Sequence, residues 1–133
     1  MKKPEIACII DDDKMFTYIL SKQMKEIDFC KDLLVFHNGL EAINYIKPVL
    51  ESAESLPDVI LLDLNMPVMD GWQFLDEFVK LKLSKKITLY IVSSSIDEAD
   101  HEKALSYEAV SHFYIKPISK ENLIGMLEEI QAV

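Results

Sequence analysis

Alternation of apolar and helical segments constrains the fold more than any other feature of the chain. Five short apolar segments are each followed by a segment with helical spacing of its apolar residues. Strands that are apolar on both faces are typical of a parallel sheet covered by helices on both sides. Because parallel connections are right-handed, the pattern predicts a doubly wound open α/β sheet. The predicted strands are Ile6–Ile10, Leu33–Phe36, Val59–Leu62, Thr88–Val92 and Phe113–Ile115.

Polar residues mark the beginnings of the predicted helices. Short side chains with an oxygen can accept a hydrogen bond from the first turn of a helix, which makes them good N-caps. Pro48 lies inside the apolar pattern of the second helix, at 40–50, and should shorten or kink it. The predicted caps are Asp13, Asp70 with Gln73 in a capping box, Ser95 with Glu98 in a second box, and Ser119.

Length and charge limit the class of protein. The 133 residues are enough for one domain and too few for two ordinary ones, so we expect a single domain with no output domain. A net charge of −9 disfavours binding to nucleic acid or to an anionic membrane surface. No apolar stretch approaches the roughly 20 residues that span a bilayer. Cys8 and Cys30 are too few for a disulfide framework, which favours a cytoplasmic location.

Polar residues follow four of the predicted strands. Asp11, Asp12 and Asp13 follow the first strand, and Asp63 follows the third. The fourth strand ends in three serines at 93–95, and the fifth ends in Lys116. A parallel sheet brings its carboxyl ends to one edge, where such folds bind their ligands. The sequence therefore predicts an acidic cluster, a hydroxyl group and a lysine at one place.

This set of side chains suits phosphoryl transfer with a divalent cation. Crowded carboxylates repel one another unless a cation joins them, and Mg²⁺ prefers oxygen ligands while leaving positions open to water and phosphate. With the cation bound, Asp63 could act as a nucleophile and form an aspartyl phosphate. Mg²⁺ and Lys116 could each contact one phosphoryl oxygen, and the Ser93 hydroxyl or nearby backbone N–H groups could contact the third.

Four motifs in the same order carry a family resemblance. They are Ile-Ile-Asp-Asp-Asp at 9–13, Leu-Leu-Asp-Leu-Asn-Met-Pro-Val-Met-Asp-Gly at 61–71, the serines at 93–95 and Ile-Lys-Pro at 115–117. With these motifs the chain resembles the receiver domain of two-component response regulators from about residue 5 to residue 131. The resemblance implies a flavodoxin-like fold with strand order 2-1-3-4-5 and helices on both faces.

The resemblance also implies roles for the acidic residues. Asp63 would be the phosphoacceptor. Asp12 would be a direct Mg²⁺ ligand, and Asp11 would act through a metal-bound water. Asp63 and the main-chain carbonyl of Asn65 would complete the protein's share of the metal site.

Three further positions follow from the resemblance. Lys116 would pair with the phosphate, aimed by a cis peptide bond to Pro117, and Phe113 would be an aromatic switch that changes rotamer. The hydroxyl position is open, because spacing forward from Asp63 selects Ser93 whereas spacing back from Lys116 selects Ser94. A one-residue insertion between the fourth and fifth strands would reconcile the two counts, and Ser93 is the preferred choice.

The implied function is that of a switch and not of an enzyme acting on outside substrates. A histidine kinase or histidine phosphotransfer protein would supply the phosphate, and the domain would catalyse only its own phosphorylation and dephosphorylation. The surface of helix 4, strand 5 and helix 5 would then change shape and bind a downstream protein. The resemblance allows a monomer or a phosphorylation-dependent dimer.

Other readings of the same residues make different predictions. A flavodoxin-like cofactor binder needs a Ser/Thr/Gly-rich loop after the first strand, where this chain has three aspartates. A phosphatase of the haloacid dehalogenase type would carry an acid at position 65, where this chain has Asn. An inactive receiver used for docking is excluded only by a phosphorylation assay. His37, His101 and His112 lack metal-ligand spacing, and we expect them to be ordinary surface or edge residues.

Overall fold

A computed structural model describes residues 3–131 and contains one five-stranded parallel sheet. The strand order is β2-β1-β3-β4-β5, which confirms the predicted doubly wound topology. The strands are β1 (Ile6–Ile10), β2 (Asp32–Phe36), β3 (Val59–Leu62), β4 (Thr88–Ser93) and β5 (Val110–Ile115). The helices are α1 (Lys14–Glu26), α2 (Gly39–Ile46), α3 (Gly71–Phe78), α4 (Glu98–Ser106) and α5 (Lys120–Gln131).

Two cores lie on opposite faces of the sheet, because successive side chains of each strand point to opposite sides. Cys8 and Ile10 of β1 pack with buried residues of α2, α3 and α4 on one face. Ala7 and Ile9 pack with buried residues of α1 and α5 on the other. Burial on both faces explains why the central strands are apolar without alternation. No helix among residues 3–131 has the length and apolarity needed to cross a membrane.

Three of the four predicted caps are confirmed. The carboxylate of Asp13 accepts a hydrogen bond from the Phe16 backbone N–H, which starts α1. Asp70 and Gln73 form the predicted reciprocal capping box. The Ser119 hydroxyl accepts a hydrogen bond from the backbone N–H of Asn122 at the start of α5.

The predicted capping box at Ser95 is wrong. Asp97 lies directly before the first residue of α4, and its carboxylate accepts a hydrogen bond from the Ala99 backbone N–H. The Ser95 hydroxyl instead donates to the carboxylate of Asp100 at 2.7 Å. The second helix is shortened as Pro48 predicted, because its α-helical part ends at Ile46 and Pro48 lies in a short 3₁₀ helix.

Candidate functional site

Backbone hydrogen bonds between neighbouring strands hold the predicted site residues at the carboxyl edge of the sheet. The Asp63 N–H donates to the carbonyl of Ile10 at 2.9 Å, which places the end of β3 beside the end of β1. The Lys116 N–H donates to the carbonyl of Ser93, also at 2.9 Å, which does the same for β5 and β4. The aspartates, the lysine and the serine therefore converge because parallel strands of similar length end together.

Three carboxylates form the acidic cluster. One carboxylate oxygen from each of Asp11, Asp12 and Asp63 lies within 4.8 Å of the others. Asp11 and Asp63 are buried, whereas Asp12 is exposed. The Oδ1 atom of each buried carboxylate accepts a hydrogen bond from a nearby backbone N–H at 2.9 Å. The donor is Asp13 for Asp11 and Leu64 for Asp63. The Oδ2 atoms of both groups are left to face the centre of the site.

Lys116 brings a positive charge to this centre. Its Nζ lies 2.8 Å from Asp11 Oδ2 and 3.8 Å from Asp63 Oδ2. The Lys116 side chain is only 16% exposed, so water screens these contacts less than it screens surface ion pairs. The peptide bond that follows, to Pro117, is cis. The ammonium group contacts two of the three carboxylates, and one positive charge leaves the cluster with excess negative charge.

The excess negative charge changes how the buried acids titrate. Burial is the main cause that raises the pKa of Asp63 from 3.8 to about 6, and the charge of Asp11 raises it further. Lys116 and the Leu64 N–H act in the opposite direction. Burial also raises the pKa of Asp11, against the hydrogen bonds from Lys116 and the Asp13 N–H. A cation bound in the cluster would lower the pKa of both carboxyl groups.

Ser93 lies buried at the end of β4, and Ser94 is exposed. The pairing of β4 with β5 shifts by one residue, because Leu89 pairs with Val110 whereas Tyr90 pairs with His112. One residue of β5 is therefore unpaired, which is the geometry of a β-bulge. An extra residue in β5 is compatible with the insertion that would reconcile the two spacing counts, and Ser93 pairs with Ile115, the residue that precedes Lys116. Ser93, which the forward count selected, is the buried one of the two serines.

The loop after Asp63 returns tightly to the sheet. The Gly71 N–H donates to the Leu64 carbonyl at 2.9 Å. A Cβ atom at position 71 would lie 2.4 Å from the Asp63 carbonyl oxygen and 2.7 Å from the Leu64 Cα, so only glycine fits there. Asn65 lies exposed in this loop. Among residues 3–131, no hydrogen bond occupies its carbonyl oxygen.

Phe113 has a partner that sequence reasoning missed. The ring of His101, on α4, stacks on the Phe113 ring with centroids 3.8 Å apart. His101 Nε2 also hydrogen-bonds to the Ser95 carbonyl at 2.9 Å, so this histidine ties β5 to the loop before α4. His101 is a half-buried edge residue, and the sequence did not reveal these two contacts. Only Ala99, Ala104 and Leu105 are apolar in α4, so its sequence gave no sign of which residue would pack against Phe113.

The family model described as "Response regulator receiver domain" matches residues 7–128. The chain belongs to the response regulator receiver domain family. Receiver domains are the phosphoacceptor modules of two-component signalling. The chain therefore belongs neither to the flavodoxin-like cofactor binders nor to the haloacid dehalogenase phosphatases.

Relatives of known structure and name agree with the receiver family. The chain is 26% identical to the probable methanogenesis regulatory protein FilR2 of Methanothrix harundinacea, over 96% of this chain and 82% of that protein. A two-component response regulator from Cytophaga hutchinsonii superposes with a TM-score of 0.87 at 25% identity, covering 99% of this chain and all of the other. The Mn²⁺-bound form of response regulator Rcp1, a protein of Synechocystis, gives 0.74 at 25% identity, covering 97% and 93%.

Some curated relatives are much longer than this chain. It spans 14% of the sensor histidine kinase CheAY of Helicobacter pylori and 56% of the nitrate/nitrite response regulator NarL of Escherichia coli. What these receiver relatives share with the chain is therefore the domain and not the activities of the whole proteins.

Proposed function

We propose that the chain is a phosphorylation-dependent switch in which Asp63 accepts a phosphoryl group from a histidine kinase or a histidine phosphotransfer protein. The observation that carries this proposal is the convergence of three carboxylates and one lysine ammonium at the carboxyl edge of the sheet. A purely structural ion pair would need one carboxylate for one lysine. The two additional carboxylates only raise the local negative charge, which suits a site that binds a cation.

The residues at this edge fit a divalent cation. The carboxylates of Asp11, Asp12 and Asp63 and the carbonyl of Asn65 would hold it, and oxygen ligands of this kind are those that Mg²⁺ prefers. When bound, Mg²⁺ supplies positive charge that offsets the carboxylates and the phosphoryl oxygens. The Mn²⁺-bound form of the related response regulator Rcp1 supports binding of a divalent ion.

Asp63 supplies the nucleophile. Its Oδ1 is held by the Leu64 N–H, which orients the carboxyl plane and leaves Oδ2 free to attack. With a pKa of about 6 the carboxylate is ionised at neutral pH. Attack of Oδ2 on the phosphoryl phosphorus breaks the P–N bond to the donor histidine and forms the acyl phosphate, while the imidazole leaves with its electron pair.

Two further groups of the chain act on the transferred phosphoryl group. Lys116 has to shift only from Asp11 toward Asp63, and its Nζ already lies 3.8 Å from Asp63 Oδ2. Its charge then stabilises one phosphoryl oxygen. The Ser93 hydroxyl donates to another, from its buried position at the end of β4.

The signal passes from the site to the surface of α4, β5 and α5. When Ser93 moves toward the phosphate, it vacates space beside β4, and the half-buried Phe113 ring turns into that space. His101 loses its stacking partner, which loosens α4. The phosphate biases an existing equilibrium between two arrangements, and a downstream protein or a second copy of the chain binds the favoured one.

The switch works without outside substrates and catalyses only its own phosphorylation and dephosphorylation. We place it in the cytoplasm, which is typical of receiver domains. The net charge of −9 supports a protein partner over nucleic acid.

Intact-mass measurement after incubation with acetyl phosphate tests the proposal. Wild-type protein in Mg²⁺ should gain the mass of one phosphate, and the same protein in EDTA should gain none. Asp63→Asn should gain none in either buffer, whereas Asp32→Asn, a change at an exposed aspartate on β2, should behave like wild type. Equal labelling of wild type and Asp63→Asn would refute the assignment of Asp63 as the phosphoacceptor. If the wild type gains no phosphate, the proposed switch fails and an inactive receiver used for docking is the interpretation that remains.

A further inference from the structure

Lys116 has a contact that neither the acidic cluster nor the family motifs account for. Its Nζ lies 4.3 Å from the centroid of the Phe16 ring, on α1. Phe16 is half-buried and packs against the core between α1, α5 and the sheet. Its neighbours on α1, Met15 and Tyr18, are 69% and 66% exposed. The Phe16 ring therefore faces the site, whereas the side chains of Met15 and Tyr18 face solvent.

The geometry places the ammonium group between a carboxylate and an aromatic face. Asp11 Oδ2 lies 2.8 Å from Nζ, and the Phe16 ring covers another side of the same group. A cation within about 6 Å of a ring centroid is attracted by the negative face of the ring, and the attraction grows when water is excluded. Because the Lys116 side chain is only 16% exposed, its contact with the Phe16 ring is partly shielded from water.

We propose that Phe16 is a positioning residue for Lys116, holding its ammonium group against the phosphoacceptor site. This inference rests on the proposed function, in which Lys116 stabilises the phosphoryl group on Asp63. A lysine side chain has four rotatable bonds and a strongly hydrated head group, so it needs a second contact to stay in one orientation. Asp11 provides the closest ionic contact and Asp63 a longer one, and the ring provides the one aromatic contact.

The ring also suits the movement that the proposed function requires. When Lys116 leaves Asp11 for the phosphoryl group, a second ionic partner would resist the shift because it would hold the ammonium at one point. An aromatic face attracts a cation over its whole area and makes no directional hydrogen bond. The Phe16 contact can therefore persist in both positions. A leucine at this position would fill similar space but would have no such attraction.

Proton NMR tests the contact without any phosphorylation. Protons above an aromatic ring are shifted upfield, so the Cε protons of Lys116 should show this shift in wild-type protein. The shift should disappear in Phe16→Leu and persist in Phe16→Tyr, which keeps the ring. Tyr18→Leu, on the exposed side of α1, is the matched control and should leave the shift unchanged. Lys116 resonances at their ordinary position in wild type would overturn the proposal.

The rate of phosphorylation by acetyl phosphate in Mg²⁺ tests the consequence. We expect Phe16→Leu to be about 3- to 30-fold slower than wild type, which corresponds to the loss of one partly desolvated cation–π contact. Phe16→Tyr should restore the rate, and Tyr18→Leu should not change it. In a Lys116→Ala background, Phe16→Leu should have no further effect, because the ring would then have no cation to hold.

The two measurements separate the possible failures. A ring that serves only packing would let Phe16→Leu and Phe16→Tyr react at the same rate, and that result would overturn the positioning role. If wild-type protein is not phosphorylated at all, the proposed function fails, but the NMR shift still decides whether the ring holds the lysine.

Discussion

Replacing Asp63 with asparagine should stabilise the protein in the absence of divalent cations. The change removes one charge from the crowded cluster while keeping the shape of the side chain. The asparagine carbonyl can still accept the hydrogen bond that the Leu64 N–H donates at 2.9 Å. Lys116 keeps its closer partner, Asp11, at 2.8 Å. The variant therefore loses repulsion and loses little attraction.

The magnitude follows from the pKa of Asp63, which is raised from 3.8 to about 6. One pKa unit corresponds to about 1.4 kcal/mol, so the ionised group costs the fold at most about 3 kcal/mol. Because the site lies at the solvent edge of the sheet, we expect screening to reduce this cost to about 1–2 kcal/mol. An acid whose pKa is raised in the folded state binds more protons there than when unfolded. The wild type therefore loses this stability as the pH rises from about 4 to about 6.

Urea unfolding in EDTA across this pH range provides the assay. Asp63→Asn should differ least from wild type near pH 4, where Asp63 is protonated in the folded protein and about half ionised in the unfolded chain, and should be about 1–2 kcal/mol more stable at pH 7. Asp32→Asn, the exposed control, should stay within about 0.5 kcal/mol of wild type at both pH values. Saturating Mg²⁺ should stabilise wild type more than Asp63→Asn. A variant that is less stable than wild type at pH 7 in EDTA would refute the repulsion argument.

Further substitutions test the loop and the lysine. Gly71→Ala should lower the free energy of unfolding by about 3 kcal/mol or more, because its Cβ would lie 2.4 Å from the Asp63 carbonyl oxygen. A Cβ atom at position 125 would meet no atom within 4 Å, so Gly125→Ala should raise the free energy of unfolding by up to about 1 kcal/mol. Equal effects of Gly71→Ala and Gly125→Ala in urea unfolding would contradict the argument from close packing at Gly71. Lys116→Met should raise the affinity for Mg²⁺ about tenfold in calorimetry, because the Lys116 ammonium group competes with Mg²⁺ for the Asp11 carboxylate. Weaker Mg²⁺ binding by the variant would argue against that competition.

The topology was predictable because its signals are local and strong. Strands buried on both faces must be apolar throughout, and their order in the sheet followed from the family resemblance carried by four motifs. The cap at Ser95 failed for a local reason as well. Two residues near the start of α4 could cap it, and the carboxylate of Asp97, which lies next to the first turn, accepts the hydrogen bond.

The finer geometry of the site depends on features that a sequence does not display. The counts that select Ser93 and Ser94 differ by one residue, but only the strand pairing shows where the register of β4 and β5 shifts by one. The contact of Phe16 with Lys116 joins two residues 100 positions apart, and it depends on how α1 packs against the sheet. The His101 ring on Phe113 likewise depends on the orientation of α4.

Chemical trapping of the phosphorylated residue tests the central claim most directly. Borohydride reduces an acyl phosphate on aspartate to an alcohol, which converts that residue to homoserine. After treatment of the wild type with acetyl phosphate in Mg²⁺ and then borohydride, peptide sequencing by mass spectrometry should find homoserine at position 63, and none when EDTA replaces Mg²⁺. Homoserine at Asp11 or Asp12 instead, or at position 63 regardless of the cation, would contradict the account.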